Sequence, residues 1–255
     1  MNCPPLPLAR TLRTLVGTVN MHTVVLGEGA TNLPTFVLVH GLGMSGRYMM
    51  PTANLLAVHG TVYVPDLPGF GRSDKPRQPL AISELADALA GWMESHGITN
   101  SIVIGNSLGA QVIVDFAVRH PGRLQRAVLV APTIDPAARR ISTQMLRLLT
   151  DVWREPASLY GIGAMDYIRS GLRRCVRTLR GALTDPIVEK LPLMRCPVLI
   201  IRGELDPIVP QTWVERAAQL IPEGRLVVIP AAAHAVNFNS PDALVGEVMN
   251  FLPEK

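Results

Sequence analysis

The sequence predicts an α/β fold in which a mostly parallel sheet is covered by helices on both faces. Short apolar runs of strand character alternate with segments of helical periodicity, a pattern typical of parallel sheets built from β-α-β units. Apolar residues make up 48% of the chain and charged residues 17%, which indicates a well-buried interior rather than disorder. The 255 residues suffice for one sizeable core, so we predict a single domain over residues 1–255.

Seven strands and four helices carry this alternation. The predicted strands are the short apolar runs at residues 23–26, 36–39, 62–65, 102–105, 127–130, 198–201 and 226–229. The predicted helices, which show apolar residues at helical spacing, are 82–96, 110–120, 212–220 and 241–251. Ser240 is a suitable N-cap for the last of these helices.

The segment between the strands at 127–130 and 198–201 breaks the alternation. It shows helical periodicity and no strand pattern, so we predict that residues 133–195 form a helical lid inserted into a core made of residues 1–132 and 196–255. The segment is rich in apolar side chains, some of which we expect to line an acyl pocket: Met145, Leu146, Leu148, Leu149, Trp153, Leu159, Tyr160, Ile162, Met165, Tyr167 and Ile168.

The predicted lid is also the basic part of the chain. It holds eleven Lys or Arg and six Asp or Glu, whereas the net charge of the whole protein is +4. One interpretation is a cationic mouth that attracts carboxylated substrates or an anionic surface. The other is that the arginines coat the solvent face of one lid helix; these are Arg169, Arg173, Arg174, Arg177 and Arg180.

Several classes of protein are excluded by composition. No segment offers the roughly 18 uninterrupted apolar residues of a membrane span, and Arg10 and Arg13 interrupt the region where a signal peptide needs its apolar core. The three cysteines, Cys3, Cys175 and Cys196, lack metal-ligand spacing, so we expect free thiols in a cytoplasmic protein without a metal or cofactor. The positive charge is local and accompanies no recognition motif, which argues against nucleic-acid binding.

The pentapeptide Gly105-Asn106-Ser107-Leu108-Gly109 stands between a predicted strand and a predicted helix. This context is typical of a nucleophile elbow, a sharp turn that exposes a serine hydroxyl at the carboxyl edge of a sheet. Small residues are needed on both sides because the strand and the helix approach closely there. We therefore predict that Ser107 is a catalytic nucleophile rather than an exposed turn serine.

A serine nucleophile needs a base within hydrogen-bond reach and a carboxylate that orients the base. Asp206 follows the strand at 198–201, and His234 follows the strand at 226–229. Both are therefore expected at the edge of the sheet where Ser107 lies. Asp135, which follows the strand at 127–130, occupies an equivalent loop and is the alternative acid.

Attack on a carbonyl creates an oxyanion, which two backbone N–H groups should stabilise. The amide of Leu108 is one expected donor, because it directly follows the nucleophile. Leu42 is the expected second donor, since the glycines of His40-Gly41-Leu42-Gly43 allow a sharp turn toward the serine. His40 suits a residue that supports this loop, and the segment 66–74 suits a rigid structural turn.

Over almost its whole length the chain resembles the α/β-hydrolase superfamily. The matching stretches are residues 40–43, 65–74, 105–109, 203–210 and 233–234, and the chain order serine, acid, histidine is that of the superfamily. The resemblance implies an eight-stranded, mostly parallel sheet and a hydrolytic site with Ser107 as nucleophile, His234 as base and Asp206 as acid. It also implies oxyanion donors at Leu42 and Leu108, but it does not settle the substrate. We predict a serine hydrolase that acts on a small-molecule acyl substrate such as a carboxylic ester.

Other activities remain open on the same scaffold. Carbon-carbon bond hydrolases of ring-cleavage pathways resemble the chain at Gly105-Asn106-Ser107 and would use lid arginines for a dienoate carboxylate. Two departures argue against them: the sequence after His40-Gly41 lacks their Gly-Pro-Gly-Ala pattern, and Ala235 stands where they carry a tryptophan. A lactonase or a ligand-sensing receptor on the same fold would retain the triad.

Overall fold

The computed structural model describes residues 9–28 and 33–253, and its core is a single sheet. The strands are β1 (Arg10–Val16), β2 (Val19–Leu26), β3 (Thr35–Val39), β4 (Thr61–Pro65), β5 (Ser101–Asn106), β6 (Leu124–Val130), β7 (Val198–Gly203) and β8 (Gly224–Ile229). They lie in the order β1-β2-β4-β3-β5-β6-β7-β8. β2 is antiparallel to β1 and to β4, and the other neighbouring strands are parallel. The mostly parallel eight-stranded sheet is therefore confirmed.

Helices cover both faces of the sheet. The α-helices in the described residues are α1 (Met50–Leu56), α2 (Ile82–Ser95), α3 (Leu108–Arg119), α4 (Ile141–Val152), α5 (Ala157–Ser170), α6 (Leu172–Thr184), α7 (Ile187–Lys190), α8 (Gln211–Leu220), α9 (Val236–Asn239) and α10 (Pro241–Phe251). Short 3₁₀ helices span Gly46–Met49, Pro136–Ala138 and Leu191–Leu193.

Each predicted strand lies inside an observed one, and the four predicted helices correspond to α2, α3, α8 and α10 with ends shifted by at most two residues. Ser240 does stand at the N-cap of α10, but its side chain makes no capping hydrogen bond. The local sequence pattern did not predict the short helices α1 and α9 or the strand β1. In β1 four of the seven residues are Arg or Thr, so this edge strand lacks the apolar run that marks the others.

β3 shows why the central strands are apolar throughout. Phe36 and Leu38 point to the cluster that contains α1 and α10, whereas Val37 and Val39 point to the cluster that contains α2 and α3. All four side chains are fully buried. A parallel strand covered on both faces has no solvent side, so it shows a continuous apolar run instead of alternation.

Residues 133–195, which we call the insertion, connect β6 to β7. They contain α4, α5, α6 and α7 with two of the 3₁₀ helices, and no strand, as their periodicity predicts. Two cysteines are described: Cys175, in α6, and Cys196, just after the insertion, are both buried free thiols. Cys3 lies outside the described residues. No helix in the described part of the chain has the length and apolar character needed to cross a membrane.

Candidate active site

Ser107 occupies a strained turn between β5 and α3. Its backbone angles are φ 57° and ψ −116°, a positive φ that residues other than glycine adopt rarely. A Cβ added at Gly105 would lie 2.6 Å from the Gly109 backbone, and one at Gly109 would lie 2.3 Å from the Val39 carbonyl oxygen. The close approach that the sequence predicts at the two glycines is therefore present.

Asp206 and His234 are brought together by loops that follow β7 and β8. The Nδ1 atom of His234 lies 2.9 Å from Oδ2 of Asp206, and both side chains are buried. The other carboxylate oxygen of Asp206 accepts hydrogen bonds from the amides of Ile208 (2.7 Å) and Val209 (3.0 Å). Because Asp206 is fixed in this way, it holds the proton of the imidazole on Nδ1 and leaves Nε2 free to accept one.

Asp135, the alternative acid, is engaged in the insertion. Its Oδ1 caps the 3₁₀ helix at 136–138 by accepting from the Ala137 amide (2.9 Å), and its Oδ2 lies 3.1 Å from Nη2 of Arg147. The carboxylate that contacts His234 is that of Asp206. Asp206 and His234 are joined by a hydrogen bond, and Ser107 and His234 line the same cavity.

The environment of His234 favours its protonated form. Burial by itself lowers the pKa of His234, but the charge and hydrogen bond of Asp206, together with the charges of Asp151 and Glu155, outweigh burial and raise it to about 9. Asp151 and Glu155 lie at the end of α4 and just after it. Neither was recognised from the sequence.

The loop after β3 carries the expected oxyanion donor Leu42. Leu42 and Leu108 both line the cavity beside Ser107. His40 supports the loop as the sequence indicated: its Nε2 accepts from the Leu67 amide (2.9 Å) and its Nδ1 donates to the Gly41 carbonyl (2.9 Å). Burial lowers the pKa of His40, although Asp66 and Gly41 oppose it, so the ring is neutral with its proton on Nδ1.

A buried hydrogen-bond network joins the three loops of the site. The hydroxyl of Tyr48 accepts from the Gly41 amide (2.8 Å) and donates to Oδ1 of Asn106 (2.8 Å). The side-chain amide of Asn106 then donates to the backbone carbonyl of His234 (3.1 Å). Arg202 similarly stabilises the loop that carries Asp206, because its guanidinium donates to the carbonyls of Val209, Glu204 and Asp206. These roles could not be predicted from the sequence, because no local pattern marks them.

The cavity has a volume of about 440 Å³ and lies between the sheet edge and the insertion. Of the apolar residues that the sequence offered as pocket lining, it is lined by Met145, Leu148, Leu159, Tyr160 and Tyr167. Exposed residues outside the wall are Leu146, Leu149, Trp153, Met165 and Ile168, and Ile162 packs against the core cluster that contains α1 and α10. The cavity is therefore mainly apolar, with polar groups gathered around Ser107 and His234 and a carboxylate pair at Asp151 and Glu155.

The arginines of the insertion stand outside this cavity. Four of the five in the predicted set are exposed, and Arg174 is half-buried with Nη2 donating to the Pro76 carbonyl (2.6 Å). Within the described residues, the cavity wall holds no Lys or Arg. These arginines therefore do not line the cavity, and they do not share one helix as the solvent-face interpretation supposed, because Arg169 lies in α5 and the other four lie in α6. Residues 9–28 and 33–253 also contain no cluster of His, Cys, Asp or Glu that could hold a metal ion.

Comparison with known proteins agrees with the geometry. Residues 36–247 match the model of the alpha/beta hydrolase family. The chain belongs to this family. It is thus an α/β-hydrolase, and its resemblance to the superfamily is confirmed.

Relatives of this α/β-hydrolase carry different hydrolase names. It is 26% identical to a 2-(acetamidomethylene)succinate hydrolase of Mesorhizobium japonicum, with 94% of each chain covered. It is also 26% identical to a pimeloyl-[acyl-carrier protein] methyl ester esterase of Pseudoalteromonas atlantica, over 84% of this chain and 93% of the relative. Among solved structures, the enol-lactonase of Burkholderia xenovorans LB400 superposes with a TM-score of 0.81 at 24% identity, over 95% of this chain and all of the other.

Proposed function

We propose that this α/β-hydrolase is a serine hydrolase that cleaves carboxylic esters or related acyl substrates through an acyl-enzyme intermediate. The observation that carries the proposal is the buried hydrogen bond between Asp206 and His234 at the wall of the cavity into which Ser107 opens. A serine on a strained elbow beside an imidazole held in one tautomer is the arrangement that nucleophilic acyl transfer requires.

In the first half of the proposed reaction, Ser107 Oγ attacks the carbonyl carbon of the substrate while Nε2 of His234 takes its proton. The Asp206 carboxylate stabilises the imidazolium that forms. The amides of Leu42 and Leu108 donate to the oxyanion. His234 then protonates the leaving alcohol as the tetrahedral intermediate collapses, which leaves Ser107 acylated.

In the second half, water takes the place of the alcohol. His234 accepts a proton from the water as its oxygen attacks the acyl carbonyl, and the same two amides stabilise the second oxyanion. Collapse of this intermediate returns the proton to Ser107 Oγ and releases the carboxylic acid. The residues 133–195 would act as a lid that limits access of bulk water to the cavity.

An ester substrate fits this cavity better than a dienoate does. A carbon-carbon bond hydrolase needs a cation for the carboxylate of its substrate, and the described wall holds no Lys or Arg. The relative named as a methyl ester esterase supports an ester. Because a lactone is a cyclic ester, it would follow the same steps, and the superposition on an enol-lactonase keeps a lactone among the substrates to be tried.

The test is hydrolysis of p-nitrophenyl esters from acetate to decanoate by the wild type and by Ser107→Ala. We expect turnover by the wild type and a loss of roughly 10⁴-fold or more in kcat for the variant, since the nucleophile is absent while the fold is kept. Ser95→Ala is the matched control, because Ser95 is exposed at the end of α2 and should leave the rate at the wild-type level.

Two results would overturn the proposal. One is a folded Ser107→Ala protein that retains near wild-type turnover. The other is stoichiometric ligand binding by the wild type without multiple turnovers, which would instead favour a receptor on this scaffold. The acyl length at which kcat/KM is highest measures how much of the cavity the acyl chain fills.

A further inference from the structure

Asp151 is a buried carboxylate of which one oxygen has no hydrogen-bond partner in the described part of the protein. It lies on the last turn of α4, lines the cavity and is only 5% exposed. Its Oδ1 is buried and has no hydrogen-bond partner among the described residues. A buried acceptor without a partner is costly, so its persistence at the wall of a cavity points to a ligand that supplies the missing donor.

The neighbouring charged groups are committed elsewhere. Glu155, the other carboxylate of the wall, accepts from the Ala235 amide (2.6 Å) and from the Asn239 side chain (2.9 Å). The arginines one turn to either side of Asp151 turn away from it. Arg147 donates to Ile208 O (3.0 Å) and pairs with Asp135, and Arg154 donates to Leu205 O (2.6 Å). Among these side chains, Asp151 is the one with an oxygen to offer a substrate.

The position of Asp151 assigns the part of the substrate that would meet it. Asp151 and His234 both line the cavity, and Glu155, one turn after Asp151, accepts from the amide of Ala235 next to His234 (2.6 Å). In the proposed function, His234 delivers a proton to the leaving oxygen. A group bound beside His234 therefore belongs to the alcohol portion of an ester rather than to its acyl portion.

We propose that Asp151 binds a protonated amine, or more weakly a hydroxyl, on the alcohol portion of the substrate, so that esters of amino alcohols are the favoured substrate class. This inference rests on the proposed function. A cation in the apolar cavity would be paired by the Asp151 carboxylate and would donate the hydrogen bond that Oδ1 lacks. The described wall holds no Lys or Arg, so the substrate cation would not have to displace a protein cation from Asp151.

The test compares two esters that differ only in the proposed donor. 2-(Dimethylamino)ethyl butyrate is protonated at neutral pH, and 3-methylbutyl butyrate has the same shape with a CH in place of the NH⁺. We expect the wild type to favour the charged ester in kcat/KM by roughly 10- to 100-fold, the effect of one hydrogen bond between charged groups. In Asp151→Asn the ratio should fall toward 1 through a loss on the charged ester.

Asp242→Asn is the control for the removal of one negative charge, because Asp242 is exposed in the first turn of α10; it should keep the wild-type ratio. A wild-type ratio near 1 would overturn the assignment, and this measurement needs no variant to fold. A high ratio that survives in folded Asp151→Asn would overturn it as well.

The two proposals fail in different ways. Turnover of both esters that depends on Ser107 but shows no preference between them would overturn only the role of Asp151. An absence of turnover that depends on Ser107 would overturn the proposed function and the assignment that rests on it.

Discussion

His234 must be neutral to take the proton of Ser107, so its pKa sets the pH at which the proposed reaction can begin. Burial opposes protonation, but Asp206, Asp151 and Glu155 raise the pKa to about 9. We therefore expect kcat/KM to rise with pH from neutrality and to level off above about 9, where the imidazole has lost its proton.

The pH profile of Asp151→Asn tests this origin of the shift. Burial raises the pKa of Asp151 to about 6, so its carboxylate is ionised across the range in which His234 titrates. Removing that negative charge disfavours the imidazolium, and the rising limb of kcat/KM should move to lower pH by roughly half a unit or more. Asp242→Asn should leave the limb in place, and an unmoved limb in Asp151→Asn would contradict the assigned cause.

The same residues show how far sequence reasoning reaches at this scale. Ser107, Asp206 and His234 were predicted because each follows a recognisable strand in a loop of special composition. The sequence did not predict the roles of Tyr48, Arg202 and Glu155. Each of them forms hydrogen bonds with residues that only folding brings near. Glu155, for example, contacts Ala235 across 80 residues of sequence, and no spacing rule connects positions so far apart.

The elbow between β5 and α3 depends on the absence of side chains at two positions. A Cβ at Gly109 would meet the carbonyl oxygens of Val39 (2.3 Å) and His40 (2.8 Å), which are backbone atoms of a central strand and the loop after it. We expect Gly109→Ala to lower the free energy of unfolding by about 1–3 kcal/mol, the usual cost of overpacking, and to lower turnover by displacing Ser107.

Gly246→Ala provides the matched control for this substitution. Gly246 lies in α10, and a Cβ there would have nothing within 4 Å. Because alanine has the lower backbone entropy in the unfolded chain, this variant should be stabilised by about 0.5–1 kcal/mol. Urea unfolding of the two variants and the wild type measures both changes. An equal effect of the two substitutions would show that close packing at the elbow is not the cause.

The insertion makes hydrogen bonds to the loops of the proposed active site. Ser45, next to the oxyanion loop, donates to Oδ2 of Asp166 in α5 (2.6 Å), and Ser170 at the end of the same helix contacts the Gly43 carbonyl (3.4 Å). Together with the hydrogen bond of Glu155 to the Ala235 amide, these contacts connect α5 and the segment before it to the loops that carry Leu42 and His234. A motion of the insertion would therefore disturb the positions of the proposed donors and base.

Across the whole molecule, the basic residues of the insertion and the carboxylates of the cavity wall lie in different places. Most arginines of the insertion are exposed to solvent. The charged residues that the insertion places in the cavity wall are Asp151 and Glu155. We expect an ester with an anionic acyl chain, such as p-nitrophenyl hemisuccinate, to be hydrolysed at least about 10-fold less efficiently than p-nitrophenyl butyrate, since two like charges would share a low-dielectric site.

Comparison of kcat/KM for these two esters decides the point, and their shared leaving group serves as the internal control. A faster reaction with the hemisuccinate would mean that a cation reaches the cavity after all.

The sequence by itself determined the class of fold, the alternation of strands and helices, and the serine and histidine of the proposed triad. It could do so because buried parallel strands, a strand-to-helix turn around a serine and the loops after strands all leave local patterns. β1 escaped prediction because an edge strand needs no apolar run and is defined by its pairing with β2.

Only the tertiary structure decided which acid meets His234, where the arginines of the insertion lie and which apolar side chains line the cavity. Asp206 and Asp135 both follow strands, and the choice between them depends on how their loops turn in space. Likewise, the net charge of the insertion does not predict the charge of the cavity wall, since a helix presents one face to solvent and another to the cavity. Contacts between distant segments are fixed by packing of the whole chain, and a local pattern cannot encode them.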